Sequence, residues 1–216
     1  MLGKQTMLGL KMNDTPRERR YEKNKKSILD NAQKLIAKKG YENVSLREIA
    51  RKADYSPAGL YEYFDSKDHI LAALRVRINA LLIEWVQNLP EYETAQKRMV
   101  AMGLAYVEFA VKHVEYFNLL NGLPPLRHLQ ESPDPASTPF SVFQTAVEAL
   151  LKELSIEPQS DYGLREITYS FWTMIHGMAT LQTTHMQGLE ADYASINKRI
   201  LEIFITGFKN YRISKA

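Results

Sequence analysis

Residues 44–67 read VSLREIARKADYSPAGLYEYFDSK, and the start signals in this stretch set the fold. Ser45-Leu46-Arg47-Glu48 has the Ser-x-x-Glu spacing of a capping box, with Val44 and Ile49 at the two positions of a hydrophobic staple, so a helix is predicted to begin at Ser45. It has room to run only to about Ala53, because Ser56-Pro57 supplies a new N-cap followed by proline at the first helical position. A third helix then covers about Pro57 to Phe64. Asp65-Ser66 caps a fourth, longer one, in which Ile70, Leu71, Leu74, Ile78, Leu81, Leu82 and Trp85 form an apolar stripe that ends near Pro90.

Upstream, Ile28, Leu29, Ala32, Leu35 and Ile36 recur at helical spacing from about Tyr21, with Lys25, Lys26, Lys34, Lys38 and Lys39 on the remaining faces. Gly40 stands where a left-handed C-cap favours a residue without a Cβ. Residues 1–20 carry no hydrophobic period, hold Lys4, Lys11, Arg17, Arg19 and Arg20, and read as a flexible basic arm. Two short helices joined by a tight turn, preceded by a basic helix and followed by a long one, are the layout of a helix-turn-helix DNA-binding domain. That domain is placed at residues 21–67.

Charge agrees with this placement. The net charge is only +3, but residues 1–70 hold fifteen Lys and Arg against ten Asp and Glu, whereas residues 71–216 hold thirteen against fifteen. A solvated lysine-rich helix face explains such an excess as well as a nucleic-acid partner does, so charge by itself leaves both open.

Beyond Pro90 the periodicity stays helical, and residues 68–216 read as a larger helical domain. Thr94 to about His113 is apolar on most faces, through Met99, Val100, Met102, Tyr106, Val107 and Phe109, as a central helix would be. A short helix follows through Phe117 and Leu120, then a proline-rich loop from Pro124 to Pro139. Thr138-Pro139 caps a helix carrying Phe140, Phe143, Val147, Leu150, Leu151 and Leu154, closed by Pro158. The last two helices run from about Asp161 to Met186 and from about Asp192 to Tyr211, around a Gly188 turn. Their stripes (Ile167, Phe171, Met174, Ile175 and Met178; Ile196, Ile200, Ile203, Phe204 and Phe208) exceed the needs of an edge helix. A homodimer joined through these two helices is the expectation, with Gly177, Ala179 and Gly207 permitting close approach; ordinary packing within the chain is the alternative.

Composition excludes several classes. With 45% hydrophobic and 25% charged residues the chain matches an ordinary globular protein. No apolar run nears the roughly 20 residues of a membrane span, and the opening Met1-Leu2-Gly3-Lys4 lacks a signal segment, so a cytoplasmic location is expected. The absence of cysteine removes disulfides, Cys-ligated zinc, iron–sulfur clusters and thiol catalysis. His69, His113, His128, His176 and His185 show neither HExxH nor Glu-x-x-His spacing, and no serine nucleophile motif is present; no catalytic residue, metal or cofactor is expected.

The segment Val44 to Lys67 closely resembles the N-terminal signature of the TetR family of bacterial regulators. Phe109 to Leu120 and Phe171-Trp172 through His176-Gly177 are similar to that family's ligand-domain subfamily named for its Trp-His-Gly residues. The resemblance implies an all-α, nine-helix, Ω-shaped dimer, usually a repressor, with an effector pocket in each C-terminal domain. Carried over by position, Ser45 and Arg47 on the second helix and Ser56, Pro57, Ala58, Tyr61 and Tyr63 on the third face operator DNA, and Lys67 reaches a phosphate. Leu46, Ile49, Ala50, Leu60 and Phe64 are core.

Four residues depart from the family pattern. Asp54 and Tyr55 replace a glycine and a small apolar residue in the turn, so Asp54 has to take a left-handed conformation. Gly59 replaces a hydroxyl residue, and Glu62 sits beside the phosphate-facing tyrosines. With no Arg, Asn or Gln in the third helix, specificity leans on Arg47, thymine methyl contacts and DNA shape.

On the effector side, Trp85, Met102, Tyr106, Phe109, Phe117, Phe143, Trp172 and His176 are the candidate pocket lining, for a largely apolar small molecule. The competing reading is that this aromatic set is ordinary core and that the domain serves dimerisation or a protein partner. Where an effector exists, ligand would shift the dimer population away from the form that fits consecutive major grooves about 34 Å apart, with the fourth helix as lever.

Overall fold

A computed structural model of the chain describes residues 15–123, 138–157 and 163–210. The expected arm over 1–14, most of the proline-rich loop, Pro158 and Tyr211 lie outside the described residues. Among the described residues there are nine α-helices and no strands, as the periodicity predicts: α1 Pro16–Lys39, α2 Leu46–Lys52, α3 Pro57–Tyr61, α4 Lys67–Gln87, α5 Ala95–Lys112, α6 Val114–Gly122, α7 Pro139–Leu154, α8 Leu164–Thr183 and α9 Tyr193–Asn210. The chain divides into two compact units, Met1–Leu74 and Arg75–Ala216.

In the first unit, α1 begins earlier than its apolar period suggests. Thr15 accepts from the Glu18 N–H, Glu18 accepts from the Thr15 N–H, and Pro16 takes the first helical position, so Arg17, Arg19 and Arg20 are helical and exposed rather than part of an arm. The start signal is a capping box, which needs no hydrophobic period. Ile28, Leu29, Ala32 and Ile36 are the buried face of α1. They join Val44, Ile49, Ala50, Ala53, Leu60, Phe64, Ile70, Leu71, Ala72 and Leu74 as buried apolar residues of this unit. Ile70, Leu71 and Leu74, in the first turns of α4, belong to the first unit, which runs to Leu74. Leu46, expected in the core, is only half-buried.

Gly40 has φ 76° and ψ 153°, and its N–H bonds the Ile36 carbonyl. The φ is positive, as a left-handed cap requires, but ψ lies outside the expected left-handed helical well; this region is open essentially to glycine alone.

In the second unit α5 is the central helix, packed against α6, α7, α8 and α9. A Cβ at Gly103 would stand 3.0 Å from Leu201, 3.1 Å from Phe171 and 3.2 Å from Ile175. The absent side chain therefore sets how closely α8 and α9 approach α5. Thr94 caps α5 by accepting from the Lys97 N–H. Thr138 and Ser141 cap α7 reciprocally, with Pro139 at its first position.

Candidate functional site

The helix-turn-helix is built by two hydroxyl caps. Ser45 Oγ accepts from the Glu48 N–H at 3.2 Å, and Ser56 Oγ accepts from the Gly59 N–H at 3.0 Å. The capping box expected at Ser45 is only half made: the Glu48 carboxylate turns to Lys39 Nζ at 2.5 Å, because an ion pair to α1 competes with the return bond to the cap. The staple residues Val44 and Ile49 are both buried.

Between the helices Asp54 has φ 62°, the left-handed conformation expected of it. With that reversal the Tyr55 N–H bonds the Ala50 carbonyl at 2.9 Å, which closes the turn. A Cβ on Gly59 would lie 3.2 Å from Ser56 Oγ and 3.7 Å from the Tyr55 ring. Two of the departures from the family pattern are thus spatial neighbours: the tyrosine ring stands beside the residue that lacks a side chain.

The third helix is shorter than expected. It ends at Tyr61, with Glu62 as its C-cap; Tyr63 and Phe64 then both donate to the Leu60 carbonyl. This tightening carries Phe64 into the core and leaves Glu62 exposed.

Ser45, Arg47, Ser56, Pro57, Ala58 and Tyr61 are exposed. Tyr61 keeps 53% of its surface open to solvent, so it is available to a partner. Tyr63 is half-buried, stacked on Tyr21 with ring centroids 4.8 Å apart and meeting Tyr55 edge-on at 5.7 Å. Its hydroxyl accepts from Asn24 Nδ2 at 2.9 Å. Sequence reasoning passed over Asn24 and Tyr21; nothing in a helical period marks a polar residue as the anchor of a tyrosine 39 positions on.

Lys67 opens α4 with its ammonium 3.9 Å from the centroid of the Tyr41 ring and 3.1 Å from the Tyr41 carbonyl. Ser66 caps the same helix by accepting from the His69 N–H. The Tyr41 hydroxyl donates to Asp68, and burial, then that bond, push its phenol up to about 12.

In the second unit, Met102, Tyr106, Phe109, Phe117 and Phe143 are buried, while Trp85, Trp172 and His176 are half-buried. They do come together. Tyr106 lies against Trp172 at 5.1 Å, Phe143 at 6.0 Å and Phe117 at 6.3 Å between centroids; Trp85 reaches Phe109 at 6.1 Å. Edge-on contacts of this kind are how aromatic rings fill space against one another. A separate groove of about 580 Å³ lies between α5 and α9, lined by Tyr92, Gln96, Val100, Leu104, Lys198 and Ile205 among others. No motif pointed to it, because its walls are the flanks of two helices distant in sequence.

The apolar stripe expected to leave α8 for a partner is instead intrachain core: Ile167, Phe171, Ile175 and Met178 are buried, taken up by α5 and α7. The open face of α8 carries Tyr169, Thr173 and Leu181. On α9, Ile196, Ile200 and Ile203 are exposed, whereas Phe204 and Phe208 are half-buried. No described helix is long and apolar enough to cross a membrane, and the described residues hold no cluster of metal ligands.

A capped helix pair with an exposed polar and aromatic face, on a basic three-helix unit, defines a helix-turn-helix DNA-binding protein. Residues 28–74 match the model of the bacterial regulatory proteins of the tetR family, and residues 99–204 match the tetracyclin repressor-like C-terminal domain. Together these span more than two thirds of the chain, which belongs to the TetR family of transcription regulators; members of the family are regulators, not enzymes. The transcriptional repressor KstR of Rhodococcus jostii is 43% identical over 53 residues, 24% of this chain and 25% of KstR. The chain spans between a quarter and half the length of such curated relatives. The HTH-type regulator Rv0681 of Mycobacterium tuberculosis is 22% identical over 162 residues, 74% of this chain and 70% of its own. A solved Rhodococcus protein of unknown function superposes with TM-score 0.65 at 25% identity, over 85% of this chain and 94% of its own. AmtR of Mycobacterium smegmatis does so with TM-score 0.58 at 21% identity, over 90% and 88%.

Proposed function

We propose that the protein is a cytoplasmic repressor that reads an inverted-repeat operator as a homodimer. The observation that carries the reading is the exposed set Ser45, Arg47, Ser56, Pro57, Ala58 and Tyr61 on one helix-turn-helix. Hydroxyls and the outward N–H groups of the capped third helix position the protein on phosphates, and Arg47 reaches a base edge. Tyr63 contributes its hydroxyl edge. Lys67 spends one of its three donors on Tyr41 and keeps two for a phosphate. Repression is supported by the KstR relatives, which are repressors.

Dimerisation runs through α8 and α9. Ile203 leaves 64% of its surface in water and Tyr169 the same, and Cβ atoms on Gly177 and Gly207 would meet nothing within 4 Å in the single chain. Pairing two such faces about a twofold axis buries them.

Release by a small apolar effector rests on the aromatic set around Tyr106. One observation favours the second reading, in which this domain serves dimerisation or a protein partner: the rings already occupy one another. Thermal unfolding against a panel of aromatic and aliphatic ligands separates the two, since a ligand of the folded state raises Tm with its concentration.

The DNA reading is tested by selecting binding sites from a random duplex library at near-physiological salt. An enriched inverted repeat supports it; recovery of no motif by folded protein overturns it.

A further inference from the structure

Tyr63 is held both at its hydroxyl and at its ring. Asn24 Nδ2 donates to it across 2.9 Å. The Tyr55 ring meets the Tyr63 ring edge-on, with centroids 5.7 Å apart. Tyr21 stacks on the ring at 26° and fixes its plane.

A phenol oxygen has two lone pairs and a single proton. With Asn24 donating to one lone pair, the Tyr63 proton is left to give. Such a group serves an acceptor arriving from outside, and the anionic oxygen of a phosphate is the strongest acceptor that duplex DNA offers to a tyrosine. Asn24 lies on α1 and Tyr55 in the turn, so each helix-turn-helix neighbour contributes one restraint. The arrangement also gives a role to Tyr55, which stands where the family pattern has a small apolar residue.

We propose that Asn24 and Tyr55 are positioning residues of the DNA-reading unit, fixing the Tyr63 hydroxyl as a donor to one operator phosphate. This rests on the DNA reading above. Neither residue touches DNA; each acts through Tyr63.

The test is a double-mutant cycle on the selected operator. Asn24→Ala and Tyr63→Phe each weaken operator binding by about tenfold, the size of one charge-assisted hydrogen bond. Asn24→Ala costs nothing further in the Tyr63→Phe background. A methylphosphonate scan supplies a readout that a merely structural role would leave unmoved. One phosphate position should weaken the wild type when neutralised, and the same position should be silent in Tyr63→Phe, Asn24→Ala and Tyr55→Ala. Equal losses from Asn24→Ala in both backgrounds, or a phosphate pattern identical in wild type and Asn24→Ala, would overturn the proposal while leaving the operator reading intact. If the wild type selects no operator, the DNA reading fails and this inference falls with it.

Discussion

The Tyr106 hydroxyl and His176 Nδ1 lie 2.9 Å apart, joining α5 to α8 inside the aromatic cluster. Desolvation lowers the His176 pKa from its ordinary 6.5 and raises that of Tyr106, so at neutral pH the bond joins a protonated phenol to an uncharged imidazole. The unfolded chain then binds the extra proton first as pH falls. The stability His176 confers is complete above its unfolded value of 6.5 and is lost as pH falls through the lower folded value. Tm measured from pH 8 to pH 5 should therefore drop more steeply in the wild type than in His176→Gln. Parallel curves would remove His176 from the titrating set.

Asp54 takes φ 62°, a conformation that costs an ordinary L-residue roughly 1–2 kcal/mol. Asp54→Gly is expected to keep or raise stability, by up to about 1 kcal/mol, and Asp54→Val to lower it by about 1–2 kcal/mol. Denaturant unfolding of the two variants checks the order. A valine as stable as the wild type would mean that the turn readily adopts another shape.

Tyr61 is exposed, whereas Tyr63 is stacked, and the two should behave differently. Tyr61→Ala leaves Tm within the range of a neutral surface change, within about 0.5 kcal/mol, while operator affinity falls about tenfold. Tyr63→Ala lowers both. Loss of stability in Tyr61→Ala with unchanged affinity would exchange the two roles.

On α9, Ile196, Ile200 and Ile203 form an exposed apolar stripe. Ile200→Glu combined with Ile203→Glu should sediment as a monomer with the helical circular dichroism of the wild type, because neither side chain is buried in its own chain. A double variant that remains a dimer would place the interface elsewhere.

Much of the fold is legible in the sequence because its punctuation is local. Ser45, Ser56-Pro57, Thr94 and Thr138-Pro139 each start a helix within four residues of themselves. The apolar period of α5 is dense enough to mark it as central. What escaped depends on contacts between distant residues. Periodicity sees that Ile167, Phe171 and Ile175 share one face of α8, but not whether α5 or a second subunit covers it. The Asn24–Tyr63 bond and the pull of Lys39 on Glu48 are likewise decided by three-dimensional proximity. The Thr15–Glu18 box at the head of α1 was readable, and was obscured only because the hydrophobic period starts later.

The central claim is that the exposed face of α2 and α3 reads operator bases, with Arg47, exposed in the first turn of α2, making a bidentate base contact. The direct measurement is binding-site selection on Arg47→Ala beside the wild type, at one salt concentration. The account predicts the same inverted repeat with one position per half-site relaxed, symmetric about the centre, and a loss of about 1–3 kcal/mol on the wild-type operator. An unchanged motif bound with unchanged affinity would contradict it.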